Sequence, residues 1–417
     1  MIEQQEHLHT TNRALLFLML LSPLLAYVYT VYLMLPKTIT VFYTFLFFAY
    51  GIVFIMFNKQ KRALPFARYA LYFAIYYLGW NYFIETERHI LTEIYDSIKF
   101  FTIFFVVLLI YNTTFSEIFI KRSIIIIKIT IIIAAAASII QVFNPAFLDA
   151  RFYFREDYNI SLDLYSFRRG SIFGFVSVHA LGLAFIPLLS VLIGYLLYNK
   201  NRYYLFYLIL GGGVAFLSNT RYIMVGFLLL TTQILFANKV RLDGVLKYLI
   251  TIAFGLMILW QILQYLDYDM KEWYEGRLLH EGALTETTRY RAIDNFLKFF
   301  PQSPVFGTGT LTEEIRAASR AVGSSHIHVG YLSHLVYYGI VGCFFLYGFW
   351  FMLVKKLYQT AKSTNYWGSY FAFLIFLWSF ATMSEPSIFH YGLIFALVFD
   401  KYFEGKQIEL EYTNNEQ

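Results

Sequence analysis

The feature that most constrains this chain is a series of long apolar runs, which recurs from one end of the sequence to the other. A run of about 18–20 apolar residues is long enough to cross the hydrocarbon core of a bilayer as a helix. Only 14% of the residues are charged, whereas an ordinary soluble domain carries about 25%. The sequence therefore predicts an all-α, polytopic transmembrane helical bundle.

Hydropathy and loop charge together predict the spans and their orientation. The twelve predicted spans lie near residues 13–35, 38–57, 66–84, 97–115, 122–143, 171–198, 203–218, 221–238, 244–265, 327–354, 366–383 and 387–402. Basic residues gather in alternate connections, such as 58–62, 199–202 and 355–362. The positive-inside rule places these connections and both termini in the cytoplasm. No small-residue cleavage site follows the first apolar run, so we expect a retained signal anchor.

These boundaries divide the chain into three membrane-spanning regions and three regions outside the bilayer. The regions are the N-terminal helices (1–143), an outer loop (144–170), the central helices (171–265), a large periplasmic or extracellular loop between the ninth and tenth spans (266–326), the C-terminal helices (327–402) and a cytoplasmic tail (403–417).

Composition and missing motifs narrow the classes of function. The single cysteine, Cys343, can form no disulfide within the chain, and no CxxC metal site exists. Neither the phosphate-binding pattern GxxxxGK[ST] nor the zinc pattern HExxH occurs. The net charge of +6 comes mostly from short loops, where membrane topology accounts for it. We therefore expect no cofactor, no metal ion and no nucleic-acid partner.

Several arginines fall on the predicted outer side of the membrane. Arg221 stands in a very short connection between two apolar runs, where a charge is costly unless it is paired or functional. It could instead cap a helix end and face water. The two long outer loops carry Arg168 and Arg169, and Arg289 and Arg291. Long loops are largely exempt from the positive-inside rule, so these four arginines alone indicate little.

Two histidines, His326 and His328, precede the tenth span in "SSHIHVGYLSHLVYYGIVG" (324–342). An imidazole titrates near neutral pH and can accept a proton. The planar guanidinium of arginine binds phosphate oxygens in a bidentate manner. Arginines and a histidine at the outer ends of spans would therefore suit an anionic lipid diphosphate, and fixed cations could offset the charge on a departing diphosphate without a metal. Each histidine could instead be an interfacial residue bonded to a carbonyl.

The same stretch resembles a motif of the bacterial O-antigen ligase and polymerase superfamily, H-N-x-x-L-x-x-L-x-x-x-G-x-x-G. The matching positions are His328, Leu332, Leu335, Gly339 and Gly342. The family's asparagine is replaced by Val329, which weakens any role for a side-chain amide that orients the acceptor. Ligases of the group often carry H-x-H here, which His326 and His328 reproduce.

Three further stretches resemble the family in the same order. The sequence "TTRYRAIDNFLKFFPQSPVFGTGT" (287–310) is similar to an arginine, an amphipathic stretch and P-x-F-G-x-G. The sequence "LSNTRYIMVGFLLL" (217–230) is similar to an S/T-R start of a span, and "RRGSIFGFVSVHALGLAF" (168–185) to an R-x-G-x-F opening. Together the motifs cover roughly residues 160–345.

The resemblance implies a metal-independent, inverting glycosyltransferase of the bacterial inner membrane, with its active site facing the periplasm or exterior. It would transfer a glycan from an undecaprenyl-diphosphate carrier to an acceptor sugar hydroxyl. His328 would be the general base, with His326 beside it, and Arg221, Arg168, Arg169, Arg289 and Arg291 would bind substrate. Glu385, in the last outer loop, could close the site from the other side.

The acceptor and the partners depend on which branch of the superfamily the chain resembles. A polymerase elongates a second lipid-linked repeat unit, whereas a ligase transfers the chain to lipid A–core. The wide distribution of polymerases favours the first reading slightly, and the H-x-H favours the second. Chain-length regulators and flippases are further implied partners. A transporter or flippase for lipid-linked sugars is the rival class, but it would place ionisable residues near the midplane and show internal repeats.

Overall fold

The structure is a computed structural model, and within the described part of the chain every regular element is helical. It describes residues 9–18, 20–21, 38–57, 64–83, 90–144, 147, 178–218, 221–238, 257, 261, 288–309, 329–380 and 391–415. The helices are α1 (Thr38–Phe57), α2 (Pro65–Phe83), α3 (Ile90–Tyr111), α4 (Glu117–Phe143), α5 (Val178–Tyr198), α6 (Tyr204–Leu217), α7 (Arg221–Asn238), α8 (Thr288–Phe299), α9 (Gly330–Thr364), α10 (Gly368–Ser379) and α11 (Tyr391–Asn415). Residues 9–18 and 20–21 are also helical.

Two of these helices, α4 and α9, are long and apolar enough to cross a membrane. Their 27 and 35 residues correspond to about 40 and 52 Å at 1.5 Å per residue. Shorter apolar segments lie in α1, α3, α5, α6, α7 and α10. The prediction of an all-helical chain is confirmed in this part of the molecule, and two of its helices have the length and composition of membrane spans. The number of spans and their sidedness stay predictions, and the ninth predicted span lies outside the described residues, apart from Met257 and Gln261.

Helix α5 lies at the centre of the bundle. It packs against α4, α6, α7, α10 and α11, and its residues from Phe185 to Ile193 are buried on all sides. A helix that is apolar around its whole circumference is stable only when neighbours surround it. Near its C-terminal end, Gly194 meets the backbone of Gly368, and the Ser190 hydroxyl donates to the Gly368 carbonyl at 2.9 Å. These small residues let α5 and α10 approach closely.

Contacts between helix ends gather the predicted cytoplasmic connections at one end of the bundle. The rings of Tyr198 and Phe403 lie 4.6 Å apart, and the Asn365 side chain donates to the Ala237 carbonyl at 3.0 Å. These residues adjoin the basic connections that follow α5, α7 and α9. The side of a membrane that this end of the bundle faces stays a prediction.

The same end holds an ion cluster, which we call the Lys356 cluster, of Tyr111, Lys356, Asp400, Lys401 and Glu404. The Lys356 ammonium lies 3.6 Å from Asp400 and 3.1 Å from Glu404. The Tyr111 hydroxyl donates to Asp400 at 2.7 Å, and Lys401 donates to Glu404 at 3.0 Å. Asp400 is buried, and a buried carboxylate is tolerated only when it is paired and hydrogen-bonded. The cluster therefore joins α3, α9 and α11.

The last helix is longer than the last predicted span. That span is predicted to end near residue 402, and α11 continues as a helix to Asn415. Hydropathy measures how strongly side chains prefer the bilayer to water. The side chains after Tyr402 are mostly polar and prefer water. A helix needs no apolar residues to continue, provided that it contains no proline or other breaker. Residues 403–415 of the predicted tail are thus helical.

Candidate functional site

The start of α9 is fixed by contacts with the end of α10. Val329 is the extended residue before the helix, and the Gly330 amide donates to the Phe380 carbonyl at 2.8 Å. The Tyr331 hydroxyl donates to the Leu377 carbonyl at 2.7 Å. The chain segments that precede Val329 and follow Phe380 therefore depart from one point. His328 belongs to the first segment and Glu385 to the second.

Helix α9 is broken at Gly339, which has φ 61° and ψ −173°. In a regular helix the Ile340 and Val341 amides would donate to the Val336 and Tyr337 carbonyls, four residues earlier. The break opens both of these bonds. Four backbone groups in a predicted span then need other partners, because an unsatisfied group in the hydrocarbon region is expensive.

Residues 304–309, the P-V-F-G-T-G stretch, supply those partners, and we call them the 304–309 loop. Four backbone hydrogen bonds of 2.8–3.0 Å join it to α9. They run from the Thr308 amide to the Val336 carbonyl, the Gly309 amide to the Tyr337 carbonyl, the Ile340 amide to the Pro304 carbonyl and the Val341 amide to the Val305 carbonyl. The loop thus takes the place of one turn of the helix's own hydrogen bonding.

Two aromatic residues of α2 bond to two further loop carbonyls. The Tyr76 hydroxyl shares its one proton between the Phe306 carbonyl at 2.5 Å and the Tyr338 carbonyl at 2.8 Å. The Trp80 indole donates to the Gly307 carbonyl at 3.3 Å, and its ring lies 5.0 Å from that of Phe306. Every carbonyl from residue 304 to residue 307 consequently has a donor.

The 304–309 loop and residues 336–341 of α9 form a contact that we call the junction, and glycines of two family motifs meet there. Gly307 and Gly339 both have positive φ, 78° and 61°, a region that glycine adopts without a steric penalty. A Cβ on Gly307 would collide with the Tyr337 carbonyl and the Gly339 amide. A Cβ on Gly339 would collide with the Gly307 amide and the Val305 carbonyl. P-x-F-G-x-G and the spaced glycine of the tenth span are therefore two halves of one backbone contact.

Helix α8 ends against α9 and carries two of the candidate arginines in its first turn. Phe299, at its end, is buried against Val336 and Tyr337. Arg289 and Arg291 lie in the first turn of α8, and Arg221 is the first residue of α7. The structure gives the backbone position of these three arginines but does not describe their side chains.

The other predicted site residues lie outside the described residues. They are Arg168, Arg169, His326, His328 and Glu385. The assembly of a diphosphate site from these residues and the three placed arginines stays a prediction. Within the described residues, no group of three His, Cys, Asp or Glu side chains is placed to bind a metal ion.

A third histidine in the same stretch, His334, has a structural position. It is buried in an aromatic enclosure, stacked on Tyr338 at 5.6 Å and edge-on to Phe380 at 5.1 Å. Its Nδ1 lies 3.3 Å from the Tyr347 hydroxyl. His334 therefore helps to fix the start of α9 against α10.

Sequence reasoning missed Tyr76 and Trp80. They lie four residues apart and thus on one face of α2, and their carbonyl partners are more than 220 residues away in the chain. An i, i+4 aromatic pair in an apolar helix is too common to mark a site. No local signal could have found them.

Comparison with known families matches residues 206–347 to the O-antigen ligase model. We call this matched segment the ligase domain. The match supports the resemblance to the O-antigen ligase and polymerase superfamily, and with it a membrane enzyme of that type. No curated protein matches the chain significantly.

The ligase domain covers about a third of the chain and includes both halves of the junction. It begins in α6, passes through α7, α8 and the 304–309 loop, and ends at Tyr347 within α9. Helices α2, α10 and α11 lie outside the match. The tyrosine and tryptophan that brace the loop are therefore supplied by a helix beyond the ligase domain.

Proposed function

We propose that the protein transfers a glycan from an undecaprenyl-diphosphate carrier to a sugar hydroxyl at the outer face of the bacterial inner membrane. The observation that carries this proposal is the joined pair of family motifs, the 304–309 loop and the broken α9. Their four backbone bonds hold α9 at residues 336–341, in the same helix that begins two residues after His328. A catalytic group in the segment before α9 needs a rigid base of this kind, because small misplacements are costly in rate.

The reaction is a single displacement. The acceptor hydroxyl oxygen forms a bond to the anomeric carbon while the bond from that carbon to the diphosphate oxygen breaks. The diphosphate leaves with the bonding electron pair, and the hydroxyl proton passes to neutral His328. One displacement inverts the anomeric configuration and needs no metal.

The arginines stabilise the departing diphosphate. Arg221, at the first position of α7, and Arg289, in the first turn of α8, are the principal ligands. Both lie at a helix N-terminus, where the positive end of the helix dipole also attracts an anion. Arg291, Arg168 and Arg169 extend the basic surface. Glu385 closes the site from the segment after α10.

Polymerisation of repeat units is the favoured activity, with a second lipid-linked repeat unit as the acceptor. The H-x-H of His326 and His328 favours the second candidate, transfer of the finished chain to lipid A–core. The two activities share the donor and the displacement step. A chain-length regulator or a flippase would act beside a polymerase, while a ligase needs the core acceptor.

The test compares His328→Ala with His326→Ala in proteoliposomes that contain undecaprenyl-diphosphate-linked repeat units isolated from the host. Loss of a general base lowers a rate by about 10²–10⁴-fold, so His328→Ala should be nearly inactive but still bind the lipid donor. His326→Ala should retain more activity. Because the base must be neutral, transfer should also fall at acid pH.

Two outcomes would contradict the proposal. Equal and mild losses in the two variants would leave the enzyme without its base. Movement of lipid-linked sugar across the vesicle membrane without any new glycosidic bond would favour the transporter class instead.

A further inference from the structure

Helix α8 has three distinct faces. Phe296, Phe299 and the following Phe300 pack toward α9 at Val336 and Tyr337. Ile293 and Leu297, one turn apart, are 47% and 63% exposed. Asp294 and Lys298, also one turn apart, are exposed on the adjoining face. We call Ile293 and Leu297 the apolar stripe. If α8 contacted only protein and water, exposure of this stripe would be unfavourable.

The apolar stripe continues into the 304–309 loop. Val305 is 48% exposed and Phe306 is 44% exposed. The carbonyls of both residues accept hydrogen bonds, from the Val341 amide and the Tyr76 hydroxyl. Irregular backbone is tolerated at membrane depth only when its polar groups have partners. The two carbonyls of the loop meet this condition, and the apolar side chains beside them can therefore contact lipid.

The position of the loop along α9 agrees with membrane depth. The loop bonds to residues 336–341, and Lys355 is an exposed lysine near the cytoplasmic end of the same helix. Ile340 and Val341 are on the same side of the break as Lys355, and their separation of 14–15 residues from it corresponds to about 21–23 Å of helix. This is less than the roughly 30 Å thickness of the hydrocarbon core. Trp80, which bonds to the loop, is of the type enriched at membrane interfaces.

We propose that residues 293–309 are seated in the outer leaflet of the bilayer, with the acyl chains of bulk lipid against Ile293, Leu297, Val305 and Phe306. The large outer loop is therefore anchored in the membrane before α9 begins. The polar stripe of Asp294 and Lys298 faces the water and the lipid headgroups. The assignment to the outer leaflet rests on the proposed function, because that function assumes the membrane orientation. The contact with lipid does not depend on the orientation.

The experiment places single cysteines in the full-length Cys343→Ala protein, labels them with a nitroxide and reconstitutes the protein in phosphatidylcholine and phosphatidylglycerol vesicles. Leu297→Cys and Val305→Cys test the apolar stripe. Asp294→Cys and Lys298→Cys, on the same or the adjoining turn, are the matched controls. Power saturation with oxygen and with a water-soluble nickel chelate compares exposure to lipid and to water.

The labels at 297 and 305 should have a several-fold higher ratio of oxygen to nickel accessibility than those at 294 and 298. Their depth should be about 5–10 Å below the headgroup boundary, as in other interfacial helices. Nickel accessibility at 297 and 305 equal to that at 298 would overturn the proposal. Protection from both reagents would also overturn it, because another protein surface would then cover the stripe.

A second measurement separates this inference from the proposed function. An impermeant thiol reagent, added outside intact cells, should label Lys298→Cys. If the label is lipid-exposed at 297 but Lys298→Cys reacts only from the cytoplasm, the lipid contact stands and the proposed orientation fails. The saturation measurement does not depend on glycan transfer, so an inactive enzyme with a lipid-exposed stripe would refute only the function.

Discussion

The two ends of α9 are held by different kinds of contact. At the Gly339 end, four backbone hydrogen bonds join the helix to the 304–309 loop, and no charged side chain takes part in them. At the other end, the Lys356 cluster joins the helix to α3 and α11 through side-chain ions and a tyrosine hydroxyl. Backbone bonds of this kind depend on glycine dihedrals and close approach, whereas an ion cluster depends on the balance of its charges. The two ends should therefore respond to different substitutions and differently to pH.

Replacing Gly339 with alanine should have the largest effect. Its dihedrals cost a non-glycine residue about 1–3 kcal/mol, and displacement of the loop would also lose backbone hydrogen bonds worth about 0.5–1.5 kcal/mol each. We expect the free energy of unfolding to fall on the order of 5 kcal/mol, with loss of transfer. The thermal midpoint in detergent and the transfer rate in proteoliposomes measure this.

Gly213→Ala is the matched control, because it lies inside α6 and no neighbouring heavy atom is within 4 Å of an added Cβ. Alanine in a helix interior is more stable than glycine by about 0.5–1 kcal/mol, so this variant should equal or exceed the parent. A Gly339→Ala protein as stable as Gly213→Ala would mean that the break in α9 is not required.

Lys356→Met should have the next largest effect, on stability alone. Removal of one partner of a buried ion pair costs about 3–5 kcal/mol, because it leaves the other charge uncompensated. The Tyr111 hydroxyl still donates to Asp400, so we expect about 3 kcal/mol. Transfer per folded molecule should not change, since the cluster lies at the opposite end of α9 from the junction.

The neighbouring Lys355→Met is the control, because Lys355 is exposed and such surface changes stay within about 0.5 kcal/mol. Thermal midpoints of the two variants should differ clearly. In the double variant Lys356→Met/Asp400→Asn, part of the loss should be recovered. Equal midpoints for the single lysine variants would show that the cluster contributes nothing.

The smallest effect should be the dependence of the cluster on pH. Burial alone would raise the pKa of Glu404, but Lys356 and Lys401 beside it outweigh burial and lower the pKa to about 2. A depressed carboxyl pKa stabilises the fold above the ordinary value of 4.5, and this contribution is lost as the pH falls toward 2. The advantage of the parent over Glu404→Gln, about 1 kcal/mol, should be constant above about pH 5 and shrink below it.

The deficit of Gly339→Ala gives the contrast, because backbone amides and carbonyls do not titrate in this range. Its midpoint should stay below that of the parent by the same amount across the pH series. A Glu404→Gln difference that persists unchanged to pH 3 would contradict the role of the two lysines.

The sequence predicted the parts of the fold that depend on local composition. The apolar run of α4 and the separation of α6 from α7 around residues 218–221 agree with the structure within a few residues. It also identified Gly339 and P-x-F-G-x-G as motif residues. It could not predict that they bond to each other, because a spacing pattern carries no information on partners about 30 residues apart.

Two further features were beyond local reasoning. The family resemblance implied an amphipathic stretch where α8 lies, but only packing on Val336 and Tyr337 distinguishes its protein-facing side from the exposed Ile293 and Leu297. The Lys356 cluster combines residues from three helices that are far apart in the chain. The mutual arrangement of the histidines and arginines is likewise a tertiary property, which motif order alone does not give.

The break at Gly339 has a consequence for how this membrane protein is made. During synthesis the 304–309 loop leaves the ribosome before residues 336–341, so the donors and acceptors that complete α9 already exist when the broken helix enters the membrane. Insertion of the tenth predicted span is thus tied to a segment that hydropathy alone would assign to the exterior. A chain without the loop would have to close the break at Gly339 or insert α9 with four open backbone groups in lipid.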